Sequence, residues 1–77
     1  MTGSMVDITL HIDEETSHED REKFRDKLLG MDGVDAAAYH DEKPHLMIIE
    51  YDPDVIKSLA FVNLAKENGL HAELLGL

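Results

Sequence analysis

The sequence of 77 residues contains no cysteine. This absence excludes disulfides, thiolate metal sites, iron–sulfur clusters and a cysteine nucleophile. Basic residues are also scarce, because 7 lysines and arginines stand against 17 aspartates and glutamates, for a formal net charge of −10. Such a charge repels phosphate backbones and anionic lipids, so we expect neither a nucleic-acid partner nor a membrane surface as a partner.

Long apolar runs are missing as well. No stretch of the sequence approaches the roughly 18 residues of a transmembrane helix, and no basic segment followed by an apolar one resembles a signal peptide. The sequence therefore predicts a cytoplasmic protein. Residues 1–4 are interpreted as an expression remnant before a natural start at Met5, and residues 5–77 are predicted to form a single small domain.

Four strands are predicted from the apolar pattern. Apolar and polar residues alternate over residues 6–12, which is typical of a strand with one buried face, with His11 on the other face. Residues 34–40 and 70–75 are weaker strand candidates, and residues 45–51 form the strongest one because they are almost continuously apolar.

Two helices are predicted between these strands. Phe24, Leu28 and Met31 form the apolar stripe of the first helix. Its start is predicted from a capping box, formed either by Thr16 with Glu19 or by Ser17 with Asp20, and its end from Gly30 or Gly33. The second helix is predicted to begin at Asp52 and Pro53 and to stop at Asn68 and Gly69.

The order of strands and helices, β-α-β-β-α-β, predicts a ferredoxin-like sandwich, which is an α+β fold. In this fold, two helices cover one face of a four-stranded antiparallel sheet, in which the fourth, first, third and second strands lie side by side. The other face of the sheet stays open unless a partner covers it.

Several local matches resemble the heavy-metal-associated (HMA) domain of copper chaperones and metal-transporting P-type ATPases. Gly33 and Val34 match the Gly-Val pair that starts the second strand of that family. Tyr51 and Asp52 match its strand-to-helix junction, and residues 69–72 match its Gly-Tyr-x-Ala segment. The resemblance covers residues 6–75 and implies the ferredoxin-like fold and a role in metal binding or metal trafficking.

The metal motif of the family, Gly-Met-x-Cys-x-x-Cys, is not matched. Ser17 and Asp20 stand where the two cysteines would be, and Glu14 and Glu15 replace the Gly-Met pair. The soft thiolates that select Cu(I) are therefore missing. The resemblance implies where a metal would bind, and the absence of thiolates argues against Cu(I) as the ion.

The first candidate metal site is that same loop, with Glu15, Ser17, His18 and Asp20. One imidazole and two carboxylates suit a divalent ion such as Zn²⁺ or Ni²⁺. The alternative is an ordinary capped helix start with a solvated acidic face.

The second candidate site lies on the open face of the sheet. His11 and His71 are on the first and last strands, which are neighbours in this fold, and Glu73 is on the same face. Two imidazoles and a carboxylate suit zinc, whereas the alternative is two unrelated surface histidines. A third pair, His40 and His45, flanks the turn at residues 41–44.

The second helix and the third strand contain more apolar residues than a single buried face requires. Residues 59–62 are continuously apolar, and both faces of the third strand are apolar because Leu46 and Ile48 alternate with Met47 and Ile49. Exposed apolar surfaces of this kind indicate a protein partner or self-association as a homodimer. The alternative is the ordinary apolar surface that a small protein exposes.

No set of nucleophile, base and orienting group is recognisable, so we do not expect an enzyme. Two hypotheses stay open, namely a metal-binding module with His and carboxylate ligands and a cysteine-free interaction or dimerisation module.

Overall fold

The computed structural model describes residues 4–75, which form four strands and two helices. The elements are β1 (Val6–Ile12), α1 (His18–Leu29), β2 (Val34–Ala38), β3 (Leu46–Tyr51), α2 (Leu59–Glu67) and β4 (Ala72–Leu75). The strands pair antiparallel in the order β2-β3-β1-β4. This topology confirms the predicted ferredoxin-like α+β sandwich. Residues 1–3 of the predicted expression remnant lie outside the described residues, and that interpretation stays a prediction.

The core lies between one face of the sheet and the two helices. Alternate residues of β1 and β3 point into it because successive side chains of a strand face opposite sides. Phe24 and Leu28 of α1 and Phe61 of α2 close the core from above, and the ring of Phe61 meets that of Tyr51 edge-on at 5.1 Å. The buried apolar residues are Ile8, Leu10, Ile12, Phe24, Leu28, Met47, Ile49, Tyr51, Phe61 and Ala65.

Helix α1 begins with the second of the two predicted capping boxes. The backbone N–H of Asp20 donates to Ser17 Oγ at 3.0 Å, and the backbone N–H of Ser17 donates to Asp20 Oδ2 at 3.4 Å. Gly30 is the C-cap, as predicted. The two reciprocal bonds satisfy amide groups that the first turn of a helix leaves without partners.

Helix α2 begins later than predicted, at Leu59 instead of Asp52. The carboxylate of Asp52 accepts from the amide of Asp54 at 2.9 Å, and its carbonyl accepts from the amides of Val55 and Ile56 at 3.0 and 3.1 Å. Asp52 therefore forms a separate turn, since a short polar side chain that binds nearby backbone competes with helix formation.

Both outer strands are shorter than predicted. β4 begins at Ala72 because the amide of Leu70 donates to the carbonyl of Ala65 at 2.9 Å and closes the end of α2. β2 ends at Ala38, and the hydroxyl of the next residue, Tyr39, donates to Glu22 on α1. Within residues 4–75, neither helix is long and apolar enough to cross a membrane.

Candidate metal centre

His11, Asp13 and Glu73 meet at one end of the open sheet face. His11 points outward from β1, as predicted, and the pairing of β1 with β4 places Glu73 directly opposite it. The Nδ1 atom of His11 lies 3.2 Å from Asp13 Oδ1 and 3.2 Å from Glu73 Oε1. Among residues 4–75, this is the only group of three His, Asp or Glu side chains whose ligand atoms all lie within 4.8 Å of one another.

This group has the donor set of a divalent cation site. An imidazole nitrogen and two carboxylate oxygens around one point suit Zn²⁺ or Ni²⁺. The side chains of His11, Asp13 and Glu73 are 36%, 49% and 53% exposed, so the group is open to solvent on one side. In the described part of the chain, neither carboxylate forms an ion pair with a lysine or arginine. A bound cation would therefore supply the positive charge that this cluster lacks.

His45 adds a second imidazole beside this cluster. Its ring stacks on that of His11, with the centroids 5.6 Å apart and the planes inclined by 18°. The Nδ1 atom of His45 lies 2.6 Å from the carbonyl oxygen of Ile12. Because a carbonyl oxygen only accepts, Nδ1 carries a proton, so in the neutral form of the ring the lone pair lies on Nε2.

His40 and His45, the third histidine pair that the sequence suggested, have different partners in the structure. His40 is exposed at the hairpin, and its nearest described carboxylate is Glu42, 3.9 Å from Nδ1. His45, in contrast, is directed toward β1 by its bond to Ile12. The hairpin therefore contributes one histidine to the surroundings of the candidate centre.

His71 is held by Glu14. Its backbone amide donates to Glu14 Oε1 at 2.8 Å, and its Nδ1 lies 2.6 Å from Glu14 Oε2. The side-chain hydrogen bond raises the pKa of His71 and lowers that of Glu14. The structure thus brings Glu73 to His11, while His71 binds the neighbouring loop.

Among residues 4–75, the predicted loop ligands Glu15, His18 and Asp20 do not form a group with all ligand atoms within 4.8 Å of one another. The Nδ1 atom of His18 lies 3.0 and 3.1 Å from the two carboxylate oxygens of Asp41, in a groove that Tyr39 also lines. Asp20 is engaged in the capping box, and it lines a second groove together with Glu15.

The Asp41 contact of His18 belongs to a hydrogen-bond network around a buried arginine. The guanidinium of Arg21, a residue only 7% exposed, donates to Asp41 Oδ1 at 2.9 Å and to the carbonyl of Thr16. The ring of Tyr39 lies 5.7 Å from the guanidinium carbon. The hydrogen bonds from His18 and Arg21 lower the pKa of Asp41. The network joins the start of α1 to the turn after β2.

Asp13 of the candidate centre and the neighbouring His45 were not assigned to this site from the sequence. Asp13 stands two residues after His11, so the alternation of strand side chains was a signal that both share one face. For His45, the sequence contains no such signal, because its position beside β1 depends on the pairing of β1 with β3.

Comparison with known proteins supports the fold. No protein-family model matches the sequence, and no curated protein matches it either. Solved structures do match it. The copper binding domain from HMA7, a P-type ATPase, has a TM-score of 0.81 at 18% identity, over 91% of this chain and 93% of that domain. Oxidized MerP from Ralstonia metallidurans CH34 has a TM-score of 0.84 at 11% identity, over 95% of this chain and 100% of MerP.

At these identities the likeness concerns the fold. It confirms the ferredoxin-like architecture that the resemblance to HMA domains implied, with nearly complete coverage of both chains. A thiolate pair is not available in this chain, because its sequence contains no cysteine.

Proposed function

We propose that this chain is a small metal-binding module that holds a divalent cation, such as Zn²⁺ or Ni²⁺, through His11, Asp13 and Glu73. The observation that carries the proposal is the position of His11 Nδ1, 3.2 Å from a carboxylate oxygen of each acidic residue. Three ligand atoms already gathered around one point reduce the ordering that metal binding would otherwise require.

The fold supports a role in metal trafficking and not in catalysis. One of the matched structures is described as a copper binding domain of a P-type ATPase. In this chain the proposed ligands are one-third to one-half exposed, which allows a partner protein to reach the ion and exchange it. The ion is therefore cargo in this proposal. The missing thiolates argue against Cu(I), and a cytoplasmic location stays a prediction from the sequence.

The other predicted ligands are weaker candidates because they have different partners and, among the described residues, do not gather around one point. His18 is bound to Asp41, Asp20 to Ser17 and His71 to Glu14. The bonds to the two histidines use Nδ1 and leave Nε2 available. In the part of the chain that the structure describes, however, none of these side chains belongs to a group of three whose ligand atoms lie within 4.8 Å of one another. Glu15 has no imidazole beside it in the groove that it lines.

Calorimetric titration of the metal-free protein with Zn²⁺, together with amide chemical shifts, tests the proposal. We expect one ion per chain and shifts centred on His11 and Glu73. The His11→Ala variant should lose saturable binding, whereas His40→Ala, which removes an exposed histidine outside the cluster, should bind as the parent does. Equal affinity of the His11→Ala variant and the parent, or shifts centred on His18, would contradict the proposal.

The second candidate function is a cysteine-free interaction or dimerisation module without a metal role. Exposed apolar side chains favour it, since Val55 and Leu59 are 59% and 60% exposed beside the core helices. Absence of a saturable metal effect, combined with a concentration-dependent dimer in sedimentation, would favour this function over metal binding.

A further inference from the structure

The open face of the sheet is arranged in three rows that run across the strands. The strand register places His11 beside Glu73 at one end, and Asp7 beside Glu50 at the other. The central row is mostly apolar and lies midway between these ends. It consists of Ala38, Ile48, Thr9 and Leu75.

The central row is equidistant from the two charged ends. Asp7 and His11 each stand two residues from Thr9 on the same strand, at about 3.4 Å per residue. Consider a two-fold axis that is parallel to the central row and lies midway between two facing sheets. Rotation about this axis exchanges the positions of the two ends of β1. When a second copy is related by this axis, Asp7 of that copy lies over His11 of the first copy, and the central rows lie against each other.

We propose that two copies of this chain dimerise face to face through the open sheet when a divalent cation is bound, with Asp7 of each copy completing the coordination of the ion held by His11, Asp13 and Glu73 of the other. This inference rests on the proposed metal site. Three protein ligands leave the fourth position of a tetrahedral zinc ion open. Packed sheets lie about 10 Å apart, a gap that an imidazole, an ion and a carboxylate can span.

The charges on this face explain why the dimer requires the ion. Asp7 faces Glu50 across the β1–β3 pair, and like charges in this position are destabilising. The contact with Asp35, desolvation, and the charges of Asp35 and Asp7 all raise the pKa of Glu50. In the described residues, none of these three carboxylates pairs with a lysine, arginine or histidine. Two metal-free copies would therefore repel each other.

The apolar contact alone is too small to overcome that repulsion. Ile48 and Leu75 are each 41% exposed and form the bulk of the central row. Four strands spaced by about 4.8 Å, with five residues along each, span a face of roughly 300 Å². A standard interface buries about 800 Å² per partner, so the two bound ions must supply part of the association free energy.

Sedimentation at increasing protein concentration, with and without Zn²⁺, tests the dimer. We expect the parent to be a monomer in a chelator and to double its mass at saturating Zn²⁺, with two ions per dimer. Asp7→Asn removes the ligand from the second copy, and Ile48→Asp places a charge in the central row. Both variants should still bind Zn²⁺ in calorimetry but remain monomers. Glu67→Gln, which removes an exposed carboxylate on α2, should dimerise as the parent does.

The two proposals fail in different measurements. Failure of the metal site appears in calorimetry, as a parent that does not bind Zn²⁺ or a His11→Ala variant that binds it unchanged. If the zinc-loaded parent stays a monomer, the proposed dimer is wrong. The open face would then be available to a different protein. A zinc-dependent dimer that survives Asp7→Asn unchanged would also overturn the proposed arrangement.

Discussion

The Nδ1 atom of His45 donates a hydrogen bond to the carbonyl of Ile12 across 2.6 Å. Next to it, the amide of Ile12 donates to the carbonyl of His45 at 2.7 Å. The side chain of His45 thus extends the backbone pairing of β1 beyond the start of β3. The same bond holds the ring of His45 against that of His11.

The hydrogen bond to the carbonyl of Ile12 determines the tautomer of His45. In a pH range where the ring is neutral, we expect the proton on Nδ1, and long-range nitrogen–proton correlation spectra measure this. A neutral His45 with its proton on Nε2 would contradict the assigned bond.

His45→Ala should lower the free energy of unfolding by about 1 kcal/mol through the lost hydrogen bond. The exposed His40→Ala variant is the control and should change it by less than about 0.5 kcal/mol.

Substitution of neighbouring residues on β3 should give opposite outcomes. Ile49 is fully buried under the helices, whereas Ile48 is 41% exposed on the open face. Ile49→Asp would bury an unpaired charge at a cost of about 5 kcal/mol or more, comparable to the whole stability of a small domain. We expect this variant to be unfolded by circular dichroism and Ile48→Asp to retain the fold. A cooperative melt of Ile49→Asp at the parent's temperature would refute the inward orientation.

Two glycines with positive φ should differ in their tolerance of a side chain. Gly33 has φ +94°, and a Cβ there would lie 2.8 Å from Ile56 Cγ2 and 2.9 Å from Val55 Cγ1. Gly69 has φ +77° but faces open space. We expect Gly33→Ala to cost roughly 3 kcal/mol through strain and overpacking, and Gly69→Ala about 1 kcal/mol through strain alone. Urea denaturation of both variants measures the difference, and equal losses would contradict the crowding at Gly33.

The hydrogen bonds to Asp41 should make stability depend on pH at the acid end. Since the bonds from His18 and Arg21 lower its pKa below the usual 3.8, the folded state binds a proton less readily than the unfolded state. The contribution of Asp41 is therefore complete above pH 3.8 and is lost as the pH falls through the lowered pKa. Urea titrations between neutral and acid pH should show a shallower acid loss for Asp41→Asn than for the parent. Asp32→Asn, at an exposed aspartate outside this network, should follow the parent curve.

Much of the fold was predictable because its signals are local. The alternation in β1 identified Ile8, Leu10 and Ile12 as buried, and each of them is. The capping box at the start of α1 involves residues only three positions apart, so that Ser17 and Asp20 could be recognised in the sequence. The start of α2 was not predictable in this way, because Asp52 and Pro53 suit both a helix start and the turn that forms instead.

The candidate metal centre was predictable only in part. His11 and Glu73 were assigned to one face of the sheet, and the structure places them in contact. His71 was expected beside them, but it binds Glu14, a residue of the loop after β1. Parity along a strand shows which face a residue occupies, whereas the loop conformation and the side-chain rotamer decide which partner it meets.

The amino-acid sequence by itself determined the secondary structure order, the buried side of each long strand, and the lack of any thiolate ligand. These properties depend on neighbouring residues or on composition. Only the tertiary structure decided that His11 meets Asp13 and Glu73, with the ring of His45 stacked beside it. Residues 11 and 73 are separated by almost the whole chain, and their contact depends on the strand register that results when both helices pack on one sheet.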